Sequence, residues 1–175
     1  SLLRLARWWL DWRLQEAQAL RPRKLHAWFF QNYTIPLLEI RKRPSLRALL
    51  GKRRVERFEK LVIAKIHHHG DKGRFRRLLQ RADRYINIAV HAMAVYIHGW
   101  ILTGERRYLL MAHQMVKILG RDQLANGMFP YRLKLRGKRH LESEAMYYHG
   151  MNLRGLYLYW WATGSALAER IFRKS

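Results

Sequence analysis

The sequence predicts an all-α fold of antiparallel helical hairpins, and three observations support this class. Apolar residues recur at helical spacing along most of the chain, with little of the sustained alternation that strands show. A threonine-glycine turn between two apolar helices occurs twice, at Thr103-Gly104 and at Thr163-Gly164. The chain of 175 residues is 49% apolar, which is enough to build one substantial core.

The glycines of the two turns are 60 residues apart, which leaves room for two helices and their connections. A weaker third copy of the turn is centred on Gly51. Recurrence at this interval is typical of stacked helical hairpins, none of which buries its apolar face alone. We expect a single domain over residues 1–175, with N-terminal helices over about 1–70 and repeated hairpins over 71–175.

Prolines and glycines set the predicted helix ends in the first part of the chain. Pro22 disfavours continuation of the first helix, and Pro36 and Pro44 are expected to bracket a short connection. Ser45 suits a helix N-cap, and Gly51 suits the end of the short helix that follows. The predicted helices cover about 2–19, 24–33, 45–50 and 52–68.

The second part of the chain contains longer helices separated by loops. Two glycines within residues 70–73 break the helical pattern, and Glu105 suits the start of the helix after the first turn. Residues 131–136 alternate strictly, which indicates a short extended piece with three cations on one side. The predicted helices cover about 75–102, 106–119 and 142–162, and another helix follows the second turn.

The chain is strongly basic, with 35 Lys and Arg against 12 Asp and Glu and a formal net charge of +23. This charge exceeds what solubility requires, so we expect a polyanionic partner. Nucleic acid, an acidic polysaccharide and an anionic membrane surface all meet that electrostatic demand, and charge alone does not rank them. The sequence does not specify an oligomeric state.

Several kinds of chemistry are unsupported by the residues present. The chain has no cysteine, which excludes disulfides, thiol chemistry and zinc fingers. It has no phosphate-binding glycine loop, nucleophile elbow or HExxH motif, so nucleotide hydrolysis and serine chemistry are unsupported and no cofactor is expected. His67, His68 and His69 cannot all face one ion from a single helix, and we expect no metal site.

Residues 86–102 contain no Asp, Glu, Lys or Arg, which raises the question of a membrane span. Asn87, His91 and His98 interrupt this run, and a span normally needs about 20 strongly apolar residues. We therefore expect no transmembrane segment. The first residues, 1–20, have no small-residue cleavage site of the kind that ends a signal peptide.

Polar and titratable residues form stripes on two of the predicted helices, where side chains three, four or seven residues apart share a face. The stripes consist of Arg84, Asn87, His91 and His98 on the central helix, and of Tyr148, His149, Asn152 and Tyr159 on the last long helix. Two such stripes on neighbouring helices predict a common polar cleft. A purely structural role is the alternative, because aromatic residues and single histidines at helical spacing are also typical of a core.

Three segments carry a resemblance to a known group of proteins. Residues 103–109 (TGERRYL) resemble the hairpin turns of (α/α)-toroid proteins that act on carbohydrates, and residues 126–131 (NGMFPY) are similar to the loop before an inner helix. Residues 147–152 (YYHGMN) resemble the active-site segment of alginate and other uronate polysaccharide lyases. The resemblance spans about 74–175 and implies an incomplete (α/α)-toroid-like array, because this chain supplies fewer hairpins than a complete toroid.

The resemblance implies an acidic polysaccharide as partner and either cleavage by β-elimination or, for a lyase-like protein or a fragment of a larger toroid, binding of the polysaccharide alone. A uronate C5 proton is removed only when the adjacent carboxylate is neutralised, so the cleft needs a carboxylate partner, a base and an acid. By similarity, Asn152 and Arg154 are expected at the carboxylate. His149 is expected to be the base, and Tyr148 or Tyr147 the acid. The residues expected to hold neighbouring sugars are Arg132, Lys134 and Arg136, together with Asn87, His91 and His98.

Two other functions remain open from the sequence. Four arginines within residues 76–84 favour a basic helical protein that binds nucleic acid, although no known nucleic-acid-binding module is present. A structural subunit of a larger anionic assembly would also account for the charge. The lyase resemblance, with a missing leader, implies a periplasmic or secreted protein, and the alternatives imply a cytoplasmic one.

Overall fold

The computed structural model describes residues 2–19, 27–130, 134–135, 138–139 and 146–175 of the protein. Within these residues the regular structure is helical apart from one pair of two-residue strands, which confirms the predicted all-α class. The elements are, in chain order, α1 Leu2–Ala19, α2 Ala27–Lys42, α3 Pro44–Leu50, α4 Lys52–His69, α5 Lys72–Ala82, α6 Ile86–Thr103, α7 Arg106–Asp122, β1 Lys134–Leu135, β2 Lys138–Arg139, α8 Met146–Thr163 and α9 Ala166–Lys174.

The chain divides into two compact units, and the first, Ser1–His69, is built from α1 to α4. Its core forms where the apolar faces of these helices meet, as the helical spacing of the apolar residues requires. Arg54 on α4 also donates a hydrogen bond to Asp11 on α1 at 2.6 Å. The buried core side chains are Leu10, Leu14, Tyr33, Leu37, Ile40, Leu50, Val55, Phe58, Val62 and Ile66.

The second unit, Gly70–Ser175, is built around α6. This helix is apolar on nearly all sides, so other helices must cover it, and α7 and α8 pack against it. Tyr108 on α7 stacks on Tyr96 of α6 with the ring centroids 6.5 Å apart. The core of this unit therefore lies along α6.

Among the described helices, α6 alone is long and apolar enough to cross a membrane, with a mean hydropathy of 1.4. In the structure 67% of this helix is buried inside the protein. The core helix of a soluble protein meets the same criteria of length and composition. The absence of a transmembrane segment therefore stays a prediction.

The first copy of the repeated turn ends α6 and begins α7. Thr103 Oγ1 donates to the Gly99 carbonyl oxygen at 2.7 Å and accepts from the Glu105 amide at 3.2 Å. Gly104 has a φ of 73°, in the left-handed region that glycine adopts without steric cost, and its amide donates to the Trp100 carbonyl oxygen at 2.7 Å.

The second copy has the same hydrogen bonds between α8 and α9. Thr163 Oγ1 donates to the Tyr159 carbonyl oxygen at 2.7 Å and accepts from the Ser165 amide at 3.3 Å. Gly164 has a φ of 64°. The third copy differs, because the Gly51 amide donates to the carbonyl oxygen three residues earlier and no threonine precedes it. The two-fold repeat in the sequence is thus a two-fold repeat in the structure.

The hairpins α6–α7 and α8–α9 run in the same direction. Gln123, just after α7, donates to the Ile171 carbonyl oxygen at 3.0 Å and to Ser175 Oγ at 2.8 Å, so α7 and α9 end side by side. Each hairpin reverses the chain at its turn, so α6 and α8 also run in the same direction. Their N-terminal ends lie at the end of the unit opposite the two turns.

Two boundaries in the first unit differ from the prediction. Pro36 lies inside α2, which continues beyond the predicted end at residue 33. A proline within a helix costs about 3 kcal/mol, and burial of Leu37 and Ile40 on the same helix offsets that cost. Pro44 is the first residue of α3, a position where its missing N–H leaves no helical bond unmade, so Ser45 is not the cap.

The single central helix predicted over 75–102 is wrong. Residues 83–85 separate α5 from α6, and Tyr85 has an extended backbone with a φ of −137°. Arg121 on α7 donates to Asp83 at 2.8 Å, a contact between residues 38 positions apart. The spacing of apolar residues along one segment does not reveal a contact with a distant residue. The break between α5 and α6 could therefore not be predicted from that spacing.

The connection between α7 and α8 contains the pair of short strands. β1 and β2 are antiparallel, with Lys134 opposite Arg139. The extended piece predicted over 131–136 is therefore a strand at residues 134–135, and its other residues lie outside the described part of the chain. The first four residues of the helix predicted over 142–162 also lie outside it.

Candidate functional site

The two predicted polar stripes lie on α6 and α8, which are packed against each other. The helices approach closely at Gly155, where an added Cβ atom would lie 2.4 Å from Val90 Cγ1. Any side chain at this position would force the helices apart. Because α6 and α8 run in the same direction, the polar residues near their starts lie toward one end of the unit. We call these residues the polar end: Asn87, His91, His149 and Asn152.

The polar end contains buried atoms that can still form hydrogen bonds. Asn87 Oδ1 and His149 Nδ1 are buried and have no hydrogen-bond partner among the described residues. Buried polar atoms in proteins are nearly always bonded to protein or to water. Asn152 on α8 is also buried, with 1% of its surface exposed. A ligand, water or a polar group outside the described residues can therefore bond to Asn87 Oδ1 and His149 Nδ1.

The loop after α7 packs against the polar end. Phe129 is fully buried, and its ring centroid lies 5.7 Å from that of His149. The Met128 amide donates to Asn126 Oδ1 at 3.1 Å, and Gly127 adopts a φ of 86°, so the loop turns sharply before Phe129. The segment that resembles the loop before an inner helix thus positions an aromatic ring against His149.

Two histidines on α6 are held in the neutral form. Burial lowers the pKa of His91 to about 4. Burial, and secondarily the positive charge of Arg154, lowers the pKa of His98 to about 4. Both imidazoles are therefore uncharged at neutral pH. His98 is only 1% exposed and lies in the half of α6 nearer the Thr103-Gly104 turn, away from the polar end.

The two residues expected at the substrate carboxylate point in different directions. Asn152 is buried, whereas Arg154 is exposed two positions later on the same helix. Side chains two positions apart on a helix lie on different faces. The Arg154 charge instead acts on the pKa of His98.

Other predicted residues fall where side chains are not described. Tyr147 and Tyr148 lie in the first turn of α8, and Lys134 lies in β1, each with only its backbone described. Arg132 and Arg136 lie outside the described residues.

One pair of polar residues in this region was not predicted. His113 Nδ1 on α7 lies 3.0 Å from the Tyr159 hydroxyl on α8, and burial raises the pKa of that tyrosine. The two residues are 46 positions apart, so no local pattern in the sequence joins them. Tyr159 is 3% exposed, and the pair ties α7 to α8.

Within the described part of the chain, no group of three or more His, Asp or Glu side chains is arranged to hold a metal ion. Of the histidine run on α4, His67 is exposed whereas His69 is buried. The rings of His68 and His69 contact each other edge to face at 6.0 Å.

A separate basic surface lies on α5. Arg76, Arg77 and Arg81 on this helix are exposed, as is Arg84 just after it. The three positions on α5 fall on one side of the helix, so these arginines form a face of positive charge, and Arg84 follows in the connection to α6. We call this surface the arginine face.

No protein-family model, curated protein or solved structure matches this chain.

Proposed function

We propose that this protein binds an acidic, uronate-containing polysaccharide at the polar end and cleaves it by β-elimination. The observation that carries the proposal is the position of His149 and Asn87, whose buried polar atoms lie at the same end of two parallel helices. Two hairpins with identical turns and a common direction are also what an incomplete (α/α)-toroid-like array requires. The net charge of +23 suits a polyanionic substrate.

In the proposed reaction the enzyme removes the C5 proton of a uronate and expels the oxygen at C4. His149 is the base, and Tyr148 or Tyr147 protonates the leaving oxygen. Asn152 donates to the carboxylate, which makes the C5 proton acidic enough to remove. Arg154, on another face of α8, contacts the carboxylate of a neighbouring sugar instead.

The remaining substrate contacts are proposed around this centre. Asn87 and His91 offer polar atoms from α6, and the basic strand pair supplies positive charge through Lys134. Arg132 and Arg136 extend that charge along the polymer. His98 lies in the core away from the polar end, and in this proposal it does not touch the polymer.

A panel of polyuronates tests the proposal: alginate, polyglucuronate, hyaluronate and a heparin-like chain. Each elimination forms a carbon–carbon double bond conjugated to the carboxylate, so ultraviolet absorbance reports product directly. We expect His149→Ala to abolish the absorbance rise while polymer binding is largely retained. His67→Ala, at an exposed position of α4, is the matched control and should be as active as the unchanged protein.

Two results would contradict the lyase proposal. Absence of product with every polymer would remove the catalytic part of it, and equal activity of the His149→Ala variant would remove the assigned base. Circular dichroism of each variant separates loss of the base from loss of folding.

The arginine face favours nucleic-acid binding as a second candidate function. A protein that neutralises phosphates loses affinity as salt rises, with a slope set by the number of contacts. Replacing Arg76 and Arg77 with Gln should lower affinity for duplex RNA or DNA and reduce that slope by about one to two contacts. Insensitivity to these changes and to His149→Ala would instead favour a structural subunit.

A further inference from the structure

A row of exposed apolar side chains follows the outer side of α1. Leu5, Trp8 and Trp12 are 61%, 63% and 41% exposed. Their spacing of three and four residues places them in one line along the helix. The two indole rings stack, with centroids 6.1 Å apart and planes 4° from parallel. We call these three residues the outer ridge.

The outer ridge is not the core-facing side of α1. Leu10 and Leu14 occupy that side, with 0% and 6% exposed. Trp9 packs edge to face on Phe58 of α4 at 6.3 Å. The Arg7 guanidinium on α1 also donates to the Leu49 carbonyl oxygen of α3 at 2.7 Å. These contacts hold α1 within its unit. They do not explain why the apolar side chains of the outer ridge are exposed.

The surroundings of the outer ridge are basic. Arg4 and Arg7 are exposed on the same helix. Both acidic residues of α1 form ion pairs: Asp11 with Arg54 and Glu16 with Arg13, each at 2.6 Å. The unit as a whole has 16 Lys and Arg against five Asp and Glu. Positive charge therefore dominates around an apolar surface.

We propose that the outer ridge docks the protein onto an anionic lipid bilayer. Leucine and tryptophan on one face of a helix, with arginine beside them, is the pattern of helices that lie in a membrane interface. The bilayer would take up the apolar side chains, and its anionic headgroups would contact Arg4. A hydrated polyanion would satisfy the arginines but would leave Leu5 in water.

Vesicle binding by the whole chain tests this proposal. Cosedimentation and the blue shift of tryptophan emission are measured with phosphatidylcholine vesicles, with and without phosphatidylserine. We expect binding that increases with phosphatidylserine. The double variant Trp8→Ala/Trp12→Ala should lower the partition coefficient by about tenfold or more, since two indoles no longer enter the interface.

The matched control is Trp161→Ala on α8. Trp161 is 63% exposed, as Trp8 is, but it lies in the other unit. This variant should bind vesicles as the unchanged protein does. Equal binding of the double variant would overturn the proposal and assign vesicle binding to charge alone. Failure of the unchanged protein to bind vesicles would also overturn the proposal. The outer ridge would then have another role, such as self-association or polyuronate binding.

Discussion

His91 and His98 are uncharged because they are buried, and this affects stability as well as chemistry. The pKa of each lies at about 4, whereas an exposed histidine has a pKa of about 6.5. As pH falls, the unfolded chain therefore takes up protons before the folded chain does. A neutral imidazole has one nitrogen that donates and one that accepts a hydrogen bond, which is the form of His91 that the proposed site uses.

The contribution of these two histidines to the free energy of unfolding should therefore be constant above about pH 7 and decrease between about pH 6.5 and 4. Each histidine contributes a loss of roughly 3 kcal/mol by pH 4, by the linkage between pKa and stability. His98→Gln should make the decrease smaller, whereas His67→Gln, at an exposed position, should not. Urea unfolding across this pH range measures the effect. An equal pH dependence in both variants would show that His98 does not titrate as its burial requires.

Gly155 provides a second test at the level of one residue. Gly155→Ala should lower the free energy of unfolding by about 1–3 kcal/mol, because its Cβ atom would overlap Val90. Gly150→Ala is the matched control on α8, because no atom of the described residues lies within 4 Å of an added Cβ there. That change should raise stability by about 0.5–1 kcal/mol, the helix preference of Ala over Gly. Urea unfolding distinguishes the opposite signs, and destabilisation by both changes would contradict this account.

The repeated threonine-glycine turn is the element that organises the second unit. In both copies one hydroxyl closes the preceding helix and accepts from the first amide after the glycine. A single threonine side chain therefore caps the first helix of each hairpin. Packing of the two hairpins places α6 beside α8. The spacing of the turns decides which residues lie at the polar end.

Removing the hydroxyl should weaken this element. Thr103→Val deletes the bonds to Gly99 and Glu105 while keeping the shape of the side chain, and should lower the free energy of unfolding by about 1–2 kcal/mol. Thr163→Val should have an effect of the same sign. Thr103→Ser keeps the hydroxyl and serves as control in thermal unfolding. If Ser destabilised as much as Val, the hydrogen bonds would not be the cause.

The excess of positive charge lowers the stability of the whole molecule. The described ion pairs are mostly on the surface, for example Arg47 with Glu56 at 3.9 Å and Arg173 with Glu169 at 2.9 Å. Such pairs contribute about 0–1 kcal/mol each. They cannot balance a net charge of +23, so repulsion between like charges opposes the compact state.

Added salt should therefore stabilise this protein. Raising monovalent salt from about 0.02 M to about 0.3 M shortens the screening length from roughly 20 Å to below 10 Å. We expect Tm to rise over this range, with NaCl and KCl having equal effects because screening does not distinguish them. A fall in Tm would show that ion pairs outweigh the repulsion, and a difference between the salts would indicate specific ion binding.

The sequence by itself determined the helical class, the threonine-glycine turns and the first helix, α1. These features depend on contacts within a few positions of the chain, such as the hydroxyl and glycine of each turn, which local sequence records. The polar stripe of α6 could also be predicted in part, because helical periodicity assigns Asn87, His91 and His98 to one side. Arg84, predicted on the same stripe, lies instead in the connection between α5 and α6.

Only the tertiary structure decided features that depend on residues far apart in the chain. The break between α5 and α6 includes an Arg121–Asp83 bond, α2 continues through Pro36 because its neighbours are buried, and His113 meets Tyr159 across two helices. The same holds for the polar end, which exists because Gly155 lets α8 lie against α6. Free energies of packing exceed local preferences at these points, and packing partners cannot be identified from local spacing.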